Sequence, residues 1–188
     1  MRVISGKFKG RKLMPPPDEK VRPTTDRIKE TLFNILSSKG LAGEITALDL
    51  FGGSGAVGIE SLSRGAQKVV FIDRSPESVK LIKYNLNHVG ASEENYEIYT
   101  VDFAFALKKL KGKKFDFIFA DPPYDAKFEE SIAFLVKKYD LLSQNGVLVI
   151  EHNNQVKFKT DGYVVEKRDC GYTQLSFLEY IKESSHNE

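Results

Sequence analysis

Within four residues, Asp121-Pro122-Pro123-Tyr124 offers a carboxylate, a backbone carbonyl that two prolines hold extended, and an aromatic face. That set answers one chemical problem. The exocyclic amine of a nucleobase is a poor nucleophile because its lone pair is delocalised into the ring. Acceptors on its two N–H bonds, here the side-chain oxygen of Asp121 and the carbonyl of Pro122, turn the lone pair outward. Pro123 stiffens the turn, and Tyr124 gives a splayed-out base a ring to stack on. Attack on an activated methyl group is then an in-line displacement governed by positioning. Asp rather than Asn at position 121 bears on the base. A carboxylate only accepts, which complements the adjacent N1–H and N2–H donors of guanine, whereas an amide fits adenine better. Taken alone, the tetrapeptide could also end a strand with a turn.

Upstream, Gly53-Ser54-Gly55-Ala56-Val57-Gly58 follows the pattern G-x-G-x-x-G, and Asp73 lies 20 residues past Gly53. The spacing suits a nicotinamide dinucleotide as well as an adenosyl ligand, since in both the glycines admit close backbone approach and the acid accepts from ribose hydroxyls. Asp49 separates the two readings. A carboxylate just before the loop repels a pyrophosphate but suits S-adenosylmethionine, which carries an ammonium and a sulfonium. Asp102-Phe103 matches an adenine, with a carboxylate for its amino group and a flat side chain for its face. The candidate cofactor-binding set is therefore Asp49, Phe51, Gly52, Gly53, Ser54, Gly55, Asp73, Arg74, Asp102 and Phe103.

These residues need a frame that brings them together. Residues 2–13 alternate loosely around Gly6 and Gly10, as in a short hairpin, and Pro15-Pro16-Pro17 forms an extended linker. Thr25 or Asp26 caps a helix with Ile28, Leu32, Ile35 and Leu36 on one face, ending near Gly40. Strand and helix then alternate. Strands are expected at 45–51, 68–73, 97–102, 115–121 and 147–152. The helices between them run from the glycine turn to Arg64, from Pro76 to Gly90, over 103–110 and over 128–142. Two extended stretches, 163–168 and 174–180, close the chain. The class is α/β, a mostly parallel sheet with helices on both faces, which binds ligands beyond the carboxyl ends of its strands. Asp49, Asp73, Asp102 and Asp121 close four successive strands there. Buried carboxylates are costly unless they bind something.

Charge divides unevenly. Residues 1–29 hold nine Lys/Arg against three acids, while the rest carries 19 bases and 23 acids. A basic arm of that kind neutralises phosphates, although a solvated tail is the ordinary alternative for a charge run. The division gives residues 1–40 as a basic N-terminal extension for RNA and residues 41–188 as the catalytic domain. The single cysteine, Cys170, excludes an internal disulfide and fits a reducing cytoplasm. No apolar run reaches bilayer length and no signal-peptide core follows the N-terminus. His88, His152 and His186 lack metal-ligand spacing, so no metal is expected. Ser54 has no His–Asp partners, and the lysines of 108–114 read as a solvated helix end.

At this level of detail the chain resembles the bacterial 16S ribosomal RNA guanine-N2 methyltransferases, the RsmD-like family, over nearly its whole length. The resemblance rests on the glycine loop, Asp121-Pro122-Pro123-Tyr124, Arg2-Val3-Ile4-Ser5-Gly6, Gly10-Arg11, Arg22-Pro23-Thr24 with Asp26-Arg27, Leu32-Phe33-Asn34-Ile35-Leu36 and Ser63-Arg64-Gly65-Ala66. Gly171-Tyr172-Thr173 varies the family's Tyr-Gly-x-Thr close, and Gly53 replaces the usual Ala. The resemblance implies a Rossmann-like class I methyltransferase with a seven-stranded sheet whose last strand is antiparallel. It also implies S-adenosyl-L-methionine as cofactor and 16S rRNA, the small ribosomal subunit or an assembly intermediate as partner of a monomer. The expected RNA-binding residues are Arg2, Lys7, Lys9, Arg11, Lys12, Arg22, Thr24 and Arg27, with Arg22 and Thr24 at the active-site entrance. The competing functions are an adenine-N6 or DNA amino-methyltransferase, a nicotinamide-dependent oxidoreductase, and an idle RNA-binding assembly factor.

Overall fold

The computed structural model describes residues 1–16 and 25–182. Seven strands form one sheet: β1 (Thr46–Leu50), β2 (Lys68–Asp73), β3 (Tyr96–Thr100), β4 (Phe115–Ala120), β5 (Leu142–Asn153), β6 (Tyr163–Cys170) and β7 (Thr173–Tyr180), in the order β3-β2-β1-β4-β5-β7-β6. β1 to β5 pair in parallel, and β7 runs antiparallel to both β5 and β6. The order reverses between β1 and β4. Leu50 pairs there with Ala120, so the glycine loop and Asp121 leave neighbouring strand ends side by side.

Residues alternate between two apolar layers. Ala47, Val69, Phe71, Phe117, Phe119 and Val149 pack beneath α1 (Asp26–Ser38), α2 (Ala56–Ser63) and α3 (Pro76–His88). Leu48, Leu50, Val70, Ile118 and Ile150 face α4 (Phe103–Lys109) and α5 (Glu129–Lys138). Burial on both faces is why these strands read as nearly continuous apolar runs. Of the two candidate caps for α1, Thr25 does the work, its hydroxyl accepting from Ile28 N at 3.3 Å. Ser75 caps α3 with Pro76 in the first turn.

Two boundaries move by more than two residues. α5 stops at Lys138 instead of 142, and β5 begins at Leu142, well before 147. Leu142 pairs with Phe115 and Val147 with Phe117, so polar Ser143 to Gly146 bulge out of a strand already begun. That polar insertion reads as a turn in the sequence.

The N-terminal segment is docked on the catalytic layer. The expected hairpin reduces to one antiparallel bridge, Arg2 with Lys12. Its apolar residues Val3, Phe8 and Leu13 join the layer under α1 and α2. The buried Glu60 carboxylate of α2 accepts from Ile4 N at 2.8 Å, Ser5 N at 3.0 Å and Arg64 Nε at 2.8 Å. Lys7 N donates to Ser63 O at 2.8 Å. This contact explains Gly6, where φ is +82° and a Cβ would lie 1.8 Å from Ser63 O. Lys29 is buried too, pairing with Glu60 at 3.7 Å and donating to Arg2 O. Its charge, counted in the basic arm, is therefore internal and unavailable to phosphate.

Candidate active site

A cavity of about 530 Å³ opens at the carboxyl ends of β1, β2 and β4. Its walls include Asp49, the glycine loop, Asp73, Arg74 and the whole of Asp121-Pro122-Pro123-Tyr124, so the two motifs do share one site. Pro16 reaches it from the arm.

The loop is held from both sides. Gly52 N donates to Ile72 O at 2.9 Å, and Gly53 N to the Asp73 carboxylate at 2.9 Å. Gly55 caps α2 in the left-handed region, at φ +77°. The buried Asn85 of α3 donates to Ser54 O at 2.9 Å and to Met14 O at 3.0 Å, tying loop and arm together. Gly58 N donates to Asp49 at 3.0 Å, and a Cβ on Gly58 would meet the Phe71 ring at 2.2 Å. Phe51, with no such freedom, still takes φ +61° at the start of the turn.

Electrostatics dominate the floor. Asp49 is buried, and burial with the nearby Asp73 charge pushes its carboxyl up to about 8, against the pull of the Gly58 N–H. Asp121 is pushed well above the ordinary range by burial, then by Glu151 and by Asp49. Asp121, itself only partly buried, thus stands within electrostatic reach of two buried acids, Asp49 and Glu151. Such a cluster repels a pyrophosphate and gains from a cation. Glu151, two residues before the end of β5, adds an acid to the rim beyond Asp49, Asp73, Asp102 and Asp121.

Asp102 does not sit beside Asp49. It caps α4, Oδ1 accepting from Ala104 N at 2.9 Å, and lines an adjoining narrow cleft with Phe51, Arg74, Phe103, Pro123 and Phe128. The cleft, about 20 Å³, is nearly closed by three rings: Phe51 to Phe103 at 5.2 Å, Phe103 to Phe128 at 4.9 Å, and Phe51 to Phe128 at 6.3 Å and 15°. A flat ring enters only if they part. Phe128 is a third aromatic wall that no motif announced.

Tyr124 opens a short 3-10 helix, half exposed at the cavity mouth, its hydroxyl sharing a 3.3 Å hydrogen bond with Thr173. Among the expected RNA-binding residues, Arg2, Lys7, Lys9, Arg11, Lys12 and Arg27 are exposed, and none lines the cavity. Arg11 is partly engaged, donating to Val89 O at 2.6 Å, and Arg2 pairs with Asp26 at 3.5 Å. Arg22 and Thr24 lie outside the described residues. His152 is buried and structural, its Nδ1 donating to Asn153 O at 2.9 Å and its Nε2 bonded to the Ser176 hydroxyl at 2.8 Å. Lys113 and Lys114 precede β4 at the opposite edge, pairing with Glu97 and Asp140.

The family model described as Conserved hypothetical protein 95 matches residues 1–179. The chain is 37% identical over 185 residues to the Bacillus subtilis protein named "Putative rRNA methyltransferase YlbH", covering 97% of this chain and 99% of that one. It is 36% identical over 152 residues to the Ribosomal RNA small subunit methyltransferase D of Haemophilus influenzae, covering 80% and 78%. The solved structure titled "Putative methyltransferase yhhF from Escherichia coli" superposes with a TM-score of 0.83 at 28% identity, covering 97% and 99%.

Proposed function

The chain belongs to the Conserved hypothetical protein 95 family, that of the small-subunit rRNA methyltransferases D, and on that premise we propose that it methylates the exocyclic N2 of a guanine in small-subunit rRNA, with S-adenosyl-L-methionine as methyl donor. One observation carries the reading. Asp121-Pro122-Pro123-Tyr124 and the glycine loop wall the same cavity, together with buried Asp49 and with Asp73.

The residues present fit the donor. Asp49 and Asp121 line the cavity, and a ligand bearing an ammonium and a sulfonium draws both towards their charged forms, while the loop offers backbone at close range. Asp73, though bonded to Gly53 N and Ser75 N, keeps lone pairs for ribose hydroxyls. Phe51, Phe103 and Phe128 would enclose an adenine, with Asp102 at its edge. When bound, S-adenosylmethionine supplies a methyl group activated by its positive sulfur.

The chain's own residues do the rest. Asp121 and the Pro122 carbonyl accept the two N2–H bonds and aim the lone pair at the methyl. Asp121 must be ionised to do so, and a nearby cation favours that form by drawing its carboxyl back down. Tyr124 stacks on the extruded base, and Thr173 holds the Tyr124 hydroxyl in place. The exposed cations of the arm engage phosphates away from the reacting atoms.

Purified protein, tritiated S-adenosylmethionine and unmodified small-subunit rRNA, free or in particles, provide the test. Label recovered in N2-methylguanosine is expected. Label in N6-methyladenosine, or none in either substrate form, sinks the proposal.

A further inference from the structure

The turn joining β6 to β7 stands on the same rim as Asp121-Pro122-Pro123-Tyr124, because Asn153 at the end of β5 pairs with Thr173 at the start of β7. Tyr172 occupies this turn with 78% of its surface exposed. Its backbone is nonetheless fixed. Asn154 N donates to Tyr172 O at 3.2 Å, and Asn154 Nδ2 donates to Gly171 O at 3.2 Å. The next residue, Thr173, is buried and bonded to the Tyr124 hydroxyl. From the other side α1 approaches. Cys170, the residue before the turn, packs against the apolar layer that holds the buried face of α1. The Thr31 hydroxyl of α1, which reaches Cys170, also donates to Arg27 O at 3.0 Å, so exposed Arg27 stands one helical turn from the end of β6.

A ring so exposed removes little apolar surface from water and contributes little to folding, which leaves it free to stack. When a target base leaves its stack for Tyr124, the neighbouring base is left with an open face. We propose that Tyr172 and Arg27 form a seat for that neighbouring nucleotide, the ring stacking on its base and the guanidinium meeting its phosphate. The inference rests on the RNA-methylation reading and adds a second nucleotide contact to it. The occupant is a looped or single-stranded RNA segment, because only unstacked bases can use both rings.

Steady-state methylation of rRNA separates the parts, with KM for RNA and for S-adenosylmethionine measured independently. Tyr172→Ala is expected to raise KM for RNA by about 5-fold to 150-fold. KM for S-adenosylmethionine and the thermal midpoint stay unchanged, and Tyr172→Trp restores RNA affinity. Arg27→Gln is expected to weaken RNA binding and to flatten its salt dependence by roughly one phosphate contact. An unchanged RNA KM in Tyr172→Ala, with methylation intact, overturns this inference alone. Absence of RNA methylation by the wild-type protein overturns the underlying reading as well.

Discussion

Replacing Asp49 with Asn should make the empty protein more stable and the cofactor complex weaker, and both effects should depend on pH. The carboxyl is moved from the ordinary 3.8 to about 8. Such a move corresponds to roughly 5–6 kcal/mol of preference for the protonated form. The folded pKa is raised above the unfolded one, so the folded state keeps a proton that the unfolded chain releases. This group's contribution is fully present below about pH 4 and is lost as pH rises towards about 8, at roughly 1.4 kcal/mol per pH unit. Asn does not titrate. In urea unfolding, Asp49→Asn should match wild type below about pH 4 and exceed it by several kcal/mol near pH 8. Calorimetric titration with S-adenosylmethionine should show wild-type affinity rising across the same window and the variant rising less, since Asp121 still titrates in the same cavity. S-adenosylhomocysteine, one positive charge poorer, should show a smaller rise. A stability difference independent of pH, or a variant as pH-sensitive as wild type in cofactor binding, would refute the reasoning.

Asp121→Asn should lower turnover on guanine by about 100-fold or more, the order expected for loss of a group acting in the transition state. Because the Asp121 carboxyl lies well above its usual range, wild-type activity should fall on acidification earlier than an ordinary carboxylate would allow, and the variant's residual rate should lack that limb. A pH–rate profile checks both. Gly6→Ala must push a Cβ into Ser63 O, so urea melts should show a loss of about 2 kcal/mol or more. Gly10→Ala, at φ +83° but in open space, should lose only about 1 kcal/mol. Glu60→Ala strands buried Lys29 and two backbone donors, and should cost about 3–5 kcal/mol and expose the N-terminal segment to protease. Tyr124→Phe should keep most activity, since the ring stacks, whereas Tyr124→Ala should lose about 1–3 kcal/mol of RNA binding in the same kinetic assay.

Much of the site was legible because strand-end chemistry is local. An acid or a Pro-Pro pair just past an apolar run stands at the carboxyl rim wherever the run becomes a parallel strand, and Asp49, Asp73 and Asp121 did so. Glu151 obeyed the same rule but lay inside Val147–Asn153, where the strand continues past it. Phe128 could not be found that way, since its partners Phe51 and Phe103 follow other strands and meet it only in three dimensions. Lys29 shows the opposite limit. Its charge looked like part of a basic arm until α1 turned it inward onto Glu60 of α2. The early end of α5 was hidden because the start of β5 has its partner, Phe115, far back in the chain.

Nucleoside mass mapping of ribosomal RNA from a strain lacking this protein tests the central claim most directly. The account predicts loss of one N2-methylguanosine from the small-subunit rRNA, restored by the wild-type chain and not by Asp121→Asn. An unchanged modification pattern, or loss of a different methylated nucleoside, would contradict it.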